Sequence, residues 1–182
     1  MSKRSDTVAE IIDNLRRVFQ VVNEQSKKAE HETGLTGPQL WAIKTIAQEA
    51  PIMVSEIARR MYLHPATVVG ILDRLEKQEL VVRIRSTEDR RVVRVELTAQ
   101  GRALVKKSPE VAQGLLVAGL EKLSSNKLEN IARALDQMTD ILGAQNIPPQ
   151  LILSPEVNKP VKTAGMVRGK TTVRQRSAAT KA

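Results

Sequence analysis

A proline interrupts what would otherwise read as one long helix. IARRMYLHPATVVGILDRLE, residues 57–76, carries apolar residues at helical spacing on both sides of His64-Pro65. Proline lacks an N–H and fits a helix only in its first turn, while the residue before it is pushed toward extended backbone. One helix should therefore end near Met61 and another begin at Pro65. Ile57 and Met61 form one apolar stripe, and Val68, Ile71, Leu72 and Leu75 form the next. Two short amphipathic helices joined by a tight turn make a helix-turn-helix pattern, whose second helix can enter a DNA major groove.

The flanking segments extend this reading. Residues 6–30 place Val8, Ile11, Leu15, Val18, Phe19 and Val22 on one face, with Asp6 or Thr7 as N-cap and Gly34 as the stop. LTGPQLWAIKTIAQEAP opens a second helix with Pro38 in its first turn, turns Leu40, Ile43, Ile46 and Ala47 inward, and closes at Pro51. A short extended segment, IMV, leads to a third helix starting at Ser55 or Val54, and the fourth runs from Pro65 to about Gln78. In LVVRIRSTEDRRVVRVELT, residues 80–98, two β-branched runs flank a charged centre, the pattern of a β-hairpin with a long tip. After Thr98 as N-cap, one helix kinked at Pro109 is expected to carry Leu104, Val105, Val111, Leu115 and Leu116. A last helix from about Ser125 to Gly143 aligns Leu128, Ile131, Leu135, Met138, Ile141 and Leu142.

The character changes at Pro148. Four of the eight prolines stand at 148, 149, 155 and 160, and after Glu156 there are seven lysines and arginines and no acid. Residues 148–182 read as a basic disordered tail. The whole chain carries a formal charge of +9, so the tail's seven cations leave +2 for residues 1–156. A polyanionic partner suits the whole, but any DNA affinity of the folded part must come from local patches.

Other classes of function find no support. The chain has no cysteine, which removes disulfides, thiol nucleophiles and thiolate metal sites, and two histidines alone make no zinc site. No phosphate loop, nucleophile elbow or histidine-carboxylate metal motif is found, so neither an enzyme nor a cofactor is expected. MSKRSDTVAEII is no secretory signal and LLVAGL cannot span a bilayer. The expected location is cytoplasmic and nucleoid-associated.

A helix-turn-helix followed at once by a β-hairpin, with long helices at both ends, resembles the MarR family of bacterial winged-helix transcription regulators. The resemblance covers residues 6–143 and is carried by LTGPQLWAI, by SEIARRMYLHPATVVGILDRLEKQELV, and by EDRRVVRVELTAQGRAL with its Asp-x-Arg pair, Asp89 and Arg91. It implies a mainly α fold with a small β-wing. In that reading residues 1–34 form an N-terminal dimerisation helix, 35–98 the DNA-binding lobe and 99–147 the C-terminal dimerisation helices. Tyr62 stands where the family often has a glycine in the turn, and His64 where it often has a serine cap.

The resemblance also implies a site. His64, Pro65, Ala66, Thr67, Gly70 and Arg74 would form the recognition-helix surface, with Ala66 against a thymine methyl, Thr67 on phosphate or base, and Arg74 on backbone or guanine. Arg83, Arg85, Arg90, Arg91 and Arg94 crowd one hairpin. Arg85, Asp89, Arg90 and Arg91 would form the wing, Arg90 or Arg91 entering the minor groove and Asp89 bracing the tip. The plainer alternatives are a packed helix with polar residues in solvent and a solvated run of charge. Arg17, Phe19, His31 and Trp41 are candidates for a pocket that takes a phenolic or aromatic carboxylate ligand, although a tryptophan so placed is more often a core anchor and a histidine like His31 more often a surface residue. The expected function is that of a homodimeric repressor released from a pseudo-palindromic operator by such an effector. A sequence-tolerant architectural DNA-binding protein and a winged helix used only for protein contacts are the alternatives.

Overall fold

The computed structural model describes residues 3–85 and 92–151. The chain opens with α1 (Lys3–Thr33), a helix of 31 residues, ended by Gly34 in the left-handed region at φ 70°. A residue with a Cβ would be strained there, and glycine is not. Next comes α2 (Gly37–Glu49), begun by Pro38 in its first turn and by Gln39, whose Oε1 accepts the Thr36 backbone N–H at 3.0 Å. Then follow β1 (Ile52–Met53), α3 (Val54–Arg60) and α4 (Pro65–Lys77), with the break at His64-Pro65 where the sequence places it.

The hairpin consists of β2 (Val81–Arg85) and β3 (Val93–Leu97), paired antiparallel from Val81 opposite Leu97 to Arg85 opposite Val93. The extended IMV segment contributes β1, which lies on the other edge of β3 and pairs Ile52 with Val95, so the strand order is β1-β3-β2. One face of this small sheet, with Val81, Val95 and Leu97, is buried, while Val82 and Ile84 on the other face are exposed. The core is continuous from the end of α1 to the sheet. It joins Ala29 and Leu35 to Leu40, Ile43 and Ile46 of α2, Ile57 and Met61 of α3, and the Val68, Ile71, Leu72, Leu75 stripe of α4.

Beyond the sheet, α5 (Ala99–Lys107) starts at Thr98, whose Oγ1 accepts the Gly101 N–H at 3.0 Å, as its sequence position suggests. Gly101 rests so close to the Leu80 carbonyl that any Cβ there would collide with it. The single kinked helix expected over this region is instead two helices, α5 and α6 (Ala112–Leu120). Ser108, held extended at ψ 146° by the ring of Pro109, ends the first, and the second restarts after Val111. A second correction is Ala47, which is exposed: with Ala50, Leu97 and Val105 it borders an open cleft of about 440 Å³ between α2, β3 and α5.

The last helix, α7 (Ser125–Ile141), buries no residue, and of the apolar face of α1 only Val22 is buried. Val8, Val18 and Phe19 on α1 and Leu135 on α7 are all more than half exposed. After α7 the chain returns, and Leu151, inside the stretch read as tail, packs against the core. Among the described residues no helix is long and apolar enough to cross a membrane, and no cluster of side chains could hold a metal ion.

Candidate nucleic-acid interface

Both helices of the helix-turn-helix end in the same way, and the ends set where the next element points. At the close of α3 the Leu63 N–H bonds to the Ala58 carbonyl at 3.0 Å and the Tyr62 N–H to the Arg59 carbonyl at 3.2 Å, the two bonds of a Schellman motif. Tyr62 occupies its left-handed position at φ 50°. At the close of α4, Leu80 and Glu79 repeat the pattern on the Leu75 and Glu76 carbonyls, with Glu79 left-handed at φ 57°. Neither position is glycine, so each backbone holds strain of roughly 1 kcal/mol.

His64 caps α4. Its Nδ1 accepts the Ala66 N–H at 3.2 Å, the role the sequence reading compared with a serine cap. The lone pair of Nδ1 is what accepts that N–H. His64, Pro65 and Ala66 are exposed, while Thr67, Gly70 and Arg74 are half-buried beside them. The exposed line of α4 continues through Val69, Asp73 and Lys77. Sequence reasoning passed over Val69, whose signal was its place one turn after Ala66 and off the apolar stripe.

Arg83 fixes this helix to the hairpin. From β2 its guanidinium reaches Asp73 at 2.7 Å and Glu76 at 2.9 Å, and it donates to the Val69 carbonyl at 3.3 Å. The sequence reading counted Arg83 only as one of the hairpin's arginines. Arg85 and Arg94 on the two strands are exposed. Asp89, Arg90 and Arg91 lie outside the described residues.

On α3, Arg59 forms two bonds to Glu56, at 2.9 and 2.6 Å, and Arg60 pairs with both Glu56 and Glu49. Hydrogen bonding to Arg59 holds the Glu56 carboxyl below its ordinary pKa, and the same bond raises that of Arg59. The Tyr62 hydroxyl donates to Glu121 Oε1 at 2.9 Å, which pushes the phenol up from its ordinary value.

The four pocket candidates are spread out. Arg17 is exposed and bonds to Asn14 at 3.0 Å, Phe19 is 66% exposed, and His31 is exposed. Arg17 and His31 stand on one helix about 21 Å apart at 1.5 Å per residue, so a single subunit does not bring them together. Trp41 is half-buried where α2 meets α6, close against Gly114. At that seam Ser26 Oγ and Gln113 Oε1 are buried with no hydrogen-bond partner, both near Gly37.

The helix-turn-helix, with the capped start of α4 and its brace to the hairpin, coincides with a family match: residues 35–93 fit the MarR family model. The organic hydroperoxide resistance transcriptional regulator of Bacillus subtilis (strain 168) is 30% identical over 125 residues, 69% of this chain and 84% of the relative. The chain belongs to the MarR family. MarR proteins are transcription regulators rather than enzymes. The HTH-type transcriptional repressor MdtR of the same organism is 32% identical over 101 residues, 56% of this chain and 65% of the relative. Among solved structures, a MarR family protein from Bacillus stearothermophilus is 27% identical and spans 79% of this chain and 99% of its own, at a TM-score of 0.48.

Proposed function

We propose that this MarR protein is a homodimeric repressor that binds a pseudo-palindromic DNA operator through two copies of α4 and two wings. The observation that carries the reading is the braced recognition helix: its start is exposed and capped by His64, and Arg83 ties Asp73 on its exposed side to the hairpin. Two symmetry-related helices would meet successive major grooves about 34 Å apart. The second copy is supported by the exposed apolar faces of α1 and α7, which one subunit leaves in water at positions such as Val18, Phe19 and Leu135. Residues 1–34 and 99–147 serve as the dimerising part in this reading, residues 35–98 as the lobe on DNA, and residues from 148 onward as a basic tail.

Release by a small phenolic or aromatic carboxylate effector completes the reading. No thiol is present to sense oxidants, and the seam around Trp41 holds buried acceptors on Ser26 and Gln113 that a ligand donor could meet. An effector wedged between lobe and dimerising helices would favour a helix spacing that no longer matches two grooves.

Titration with promoter DNA against random competitor tests the function. A repressor shows a specificity ratio of about 10³ or more, an architectural protein held by its basic tail a ratio near one, and a protein-contact module no binding at all. Trp41 is the sole tryptophan, so quenching of its emission by salicylate, with loss of operator binding, tests the effector.

A further inference from the structure

The turn that precedes the recognition helix holds a side chain it does not need for packing. Tyr62 sits in the left-handed position of that turn, where glycine would be unstrained, and is 67% exposed. Its ring is therefore not retained by burial. What it reaches is Glu121, 59 residues away in sequence, through a hydroxyl-to-carboxylate bond of 2.9 Å. Glu121 caps the C-terminus of α6, its own N–H bonded to the Val117 carbonyl at 2.9 Å, and α6 packs on α1 and α2. The bond thus runs from the loop that aims α4 to the helical part whose apolar faces stand exposed.

We infer that the Tyr62–Glu121 bond is a strut that fixes the recognition unit against the C-terminal helices, making Tyr62 a positioning residue for the distance between the two half-sites. The inference rests on the dimeric, two-half-site reading above. A bond to an ionised acceptor is short and directional, so it constrains angle well. Lying in solvent, it contributes little to stability, and its loss should loosen geometry without unfolding the lobe. Because both subunits carry the strut, a small tilt at each turn changes the separation of the two α4 helices twice over.

The test uses the full chain and its lack of thiols. Lys77→Cys places the only cysteine on the exposed end of α4, and spin labels there read the intersubunit distance by pulsed electron paramagnetic resonance. Tyr62→Phe should broaden that distribution with the melting temperature nearly unchanged. Glu121→Ala should do the same, the double variant should be no broader than either single one, and Glu121→Gln, which keeps an acceptor oxygen, should stay narrow. Tyr62→Gly should broaden it without lowering the melting temperature, since the left-handed strain is removed with the hydroxyl. On DNA, wild type should prefer one half-site spacing over spacings one base pair longer or shorter, and Tyr62→Phe should reduce that preference severalfold.

An unchanged distribution and spacing preference in Tyr62→Phe would overturn the inference. So would a uniform loss of affinity at every spacing, which is the signature of a phosphate contact by the phenol. If wild type gives no intersubunit distance, the dimeric reading itself fails and takes the strut with it.

Discussion

Arg83 Nη2 stands 2.7 Å from Asp73 Oδ1, so the first strand of the hairpin holds the exposed side of the recognition helix directly. The same guanidinium meets Glu76, and its side chain is 24% exposed, sheltered enough for the contacts to be well defined. Two carboxylates on a helix proposed to meet DNA would repel phosphate if left alone. Arg83 offsets one of those two charges and ties the hairpin to the helix.

Arg83→Ala should therefore cost about 1–2 kcal/mol in urea unfolding and weaken operator binding beyond what that loss explains. Asp73→Asn added to Arg83→Ala should restore part of the binding by removing one unpaired negative charge. Operator affinity at the wild-type value in Arg83→Ala, measured at moderate salt, would show that the brace serves only the fold.

Glu79 is left-handed at φ 57° and exposed, and the turn's two bonds are backbone bonds that glycine would keep. Glu79→Gly removes the Cβ clash, offset in part by the greater freedom of glycine in the unfolded chain, for a net gain of up to about 0.5 kcal/mol. Thermal unfolding monitored by circular dichroism measures it. A loss of stability would mean that the Glu79 side chain holds the turn through contacts of its own.

Much of this was legible in the sequence because it depends on local chemistry. Pro65, Gly34 and Thr98 each impose a backbone or capping demand that does not wait for the rest of the fold, and the boundaries fall where those residues put them. The α4 stripe was legible because period alone decides which residues meet a core. Contacts that close at long range were not: Arg83 looked like one of several hairpin arginines, and nothing near Tyr62 in sequence points to Glu121. The helix break at Ser108 was read as a kink because composition does not say whether a chain resumes its axis after proline. The apolar face of α1 was visible as periodicity, but period cannot say whether a chain covers such a face itself.

Thr67 and Arg91 separate base reading from charge. Thr67, in the first turns of α4, should on replacement by alanine narrow the gap between operator and random DNA and leave salt dependence nearly unchanged. Arg91, assigned to the wing by resemblance, should on Arg91→Ala weaken both bindings and reduce the slope of log affinity against log salt by about 0.9 per contact, twice that for a dimer. Wild-type affinity and slope in a folded Arg91→Ala protein would end the wing assignment for that residue.

The seven cations that follow Glu156 belong to a stretch with few core-forming residues, while Leu151 just before it packs on the core. Changing those seven to glutamine should lower affinity for all DNA at low salt, flatten the salt slope, and leave the dimer and operator preference intact. Leu151→Ser should act differently, lowering stability by about 1–2 kcal/mol with the salt slope unchanged. If the neutralised tail instead abolishes operator preference, the tail takes part in recognition.

Tyr62 is the only tyrosine in the chain, so the tyrosinate absorbance reads its titration without interference from another phenol. The Glu121 carboxylate accepts the phenolic hydrogen and repels a phenolate, both of which raise the folded pKa, while the Arg59 charge partly opposes them. A pKa raised on folding means that the bond's stabilisation is fully present below the ordinary phenol value of about 10 and is lost as pH climbs through the folded value. The folded protein should thus titrate above that ordinary value, and Glu121→Ala should return the midpoint toward it. The bond should be intact throughout the neutral range and fail only in strong alkali. A wild-type midpoint at the ordinary value, in protein still folded by circular dichroism, would show that the hydroxyl does not meet Glu121 in solution.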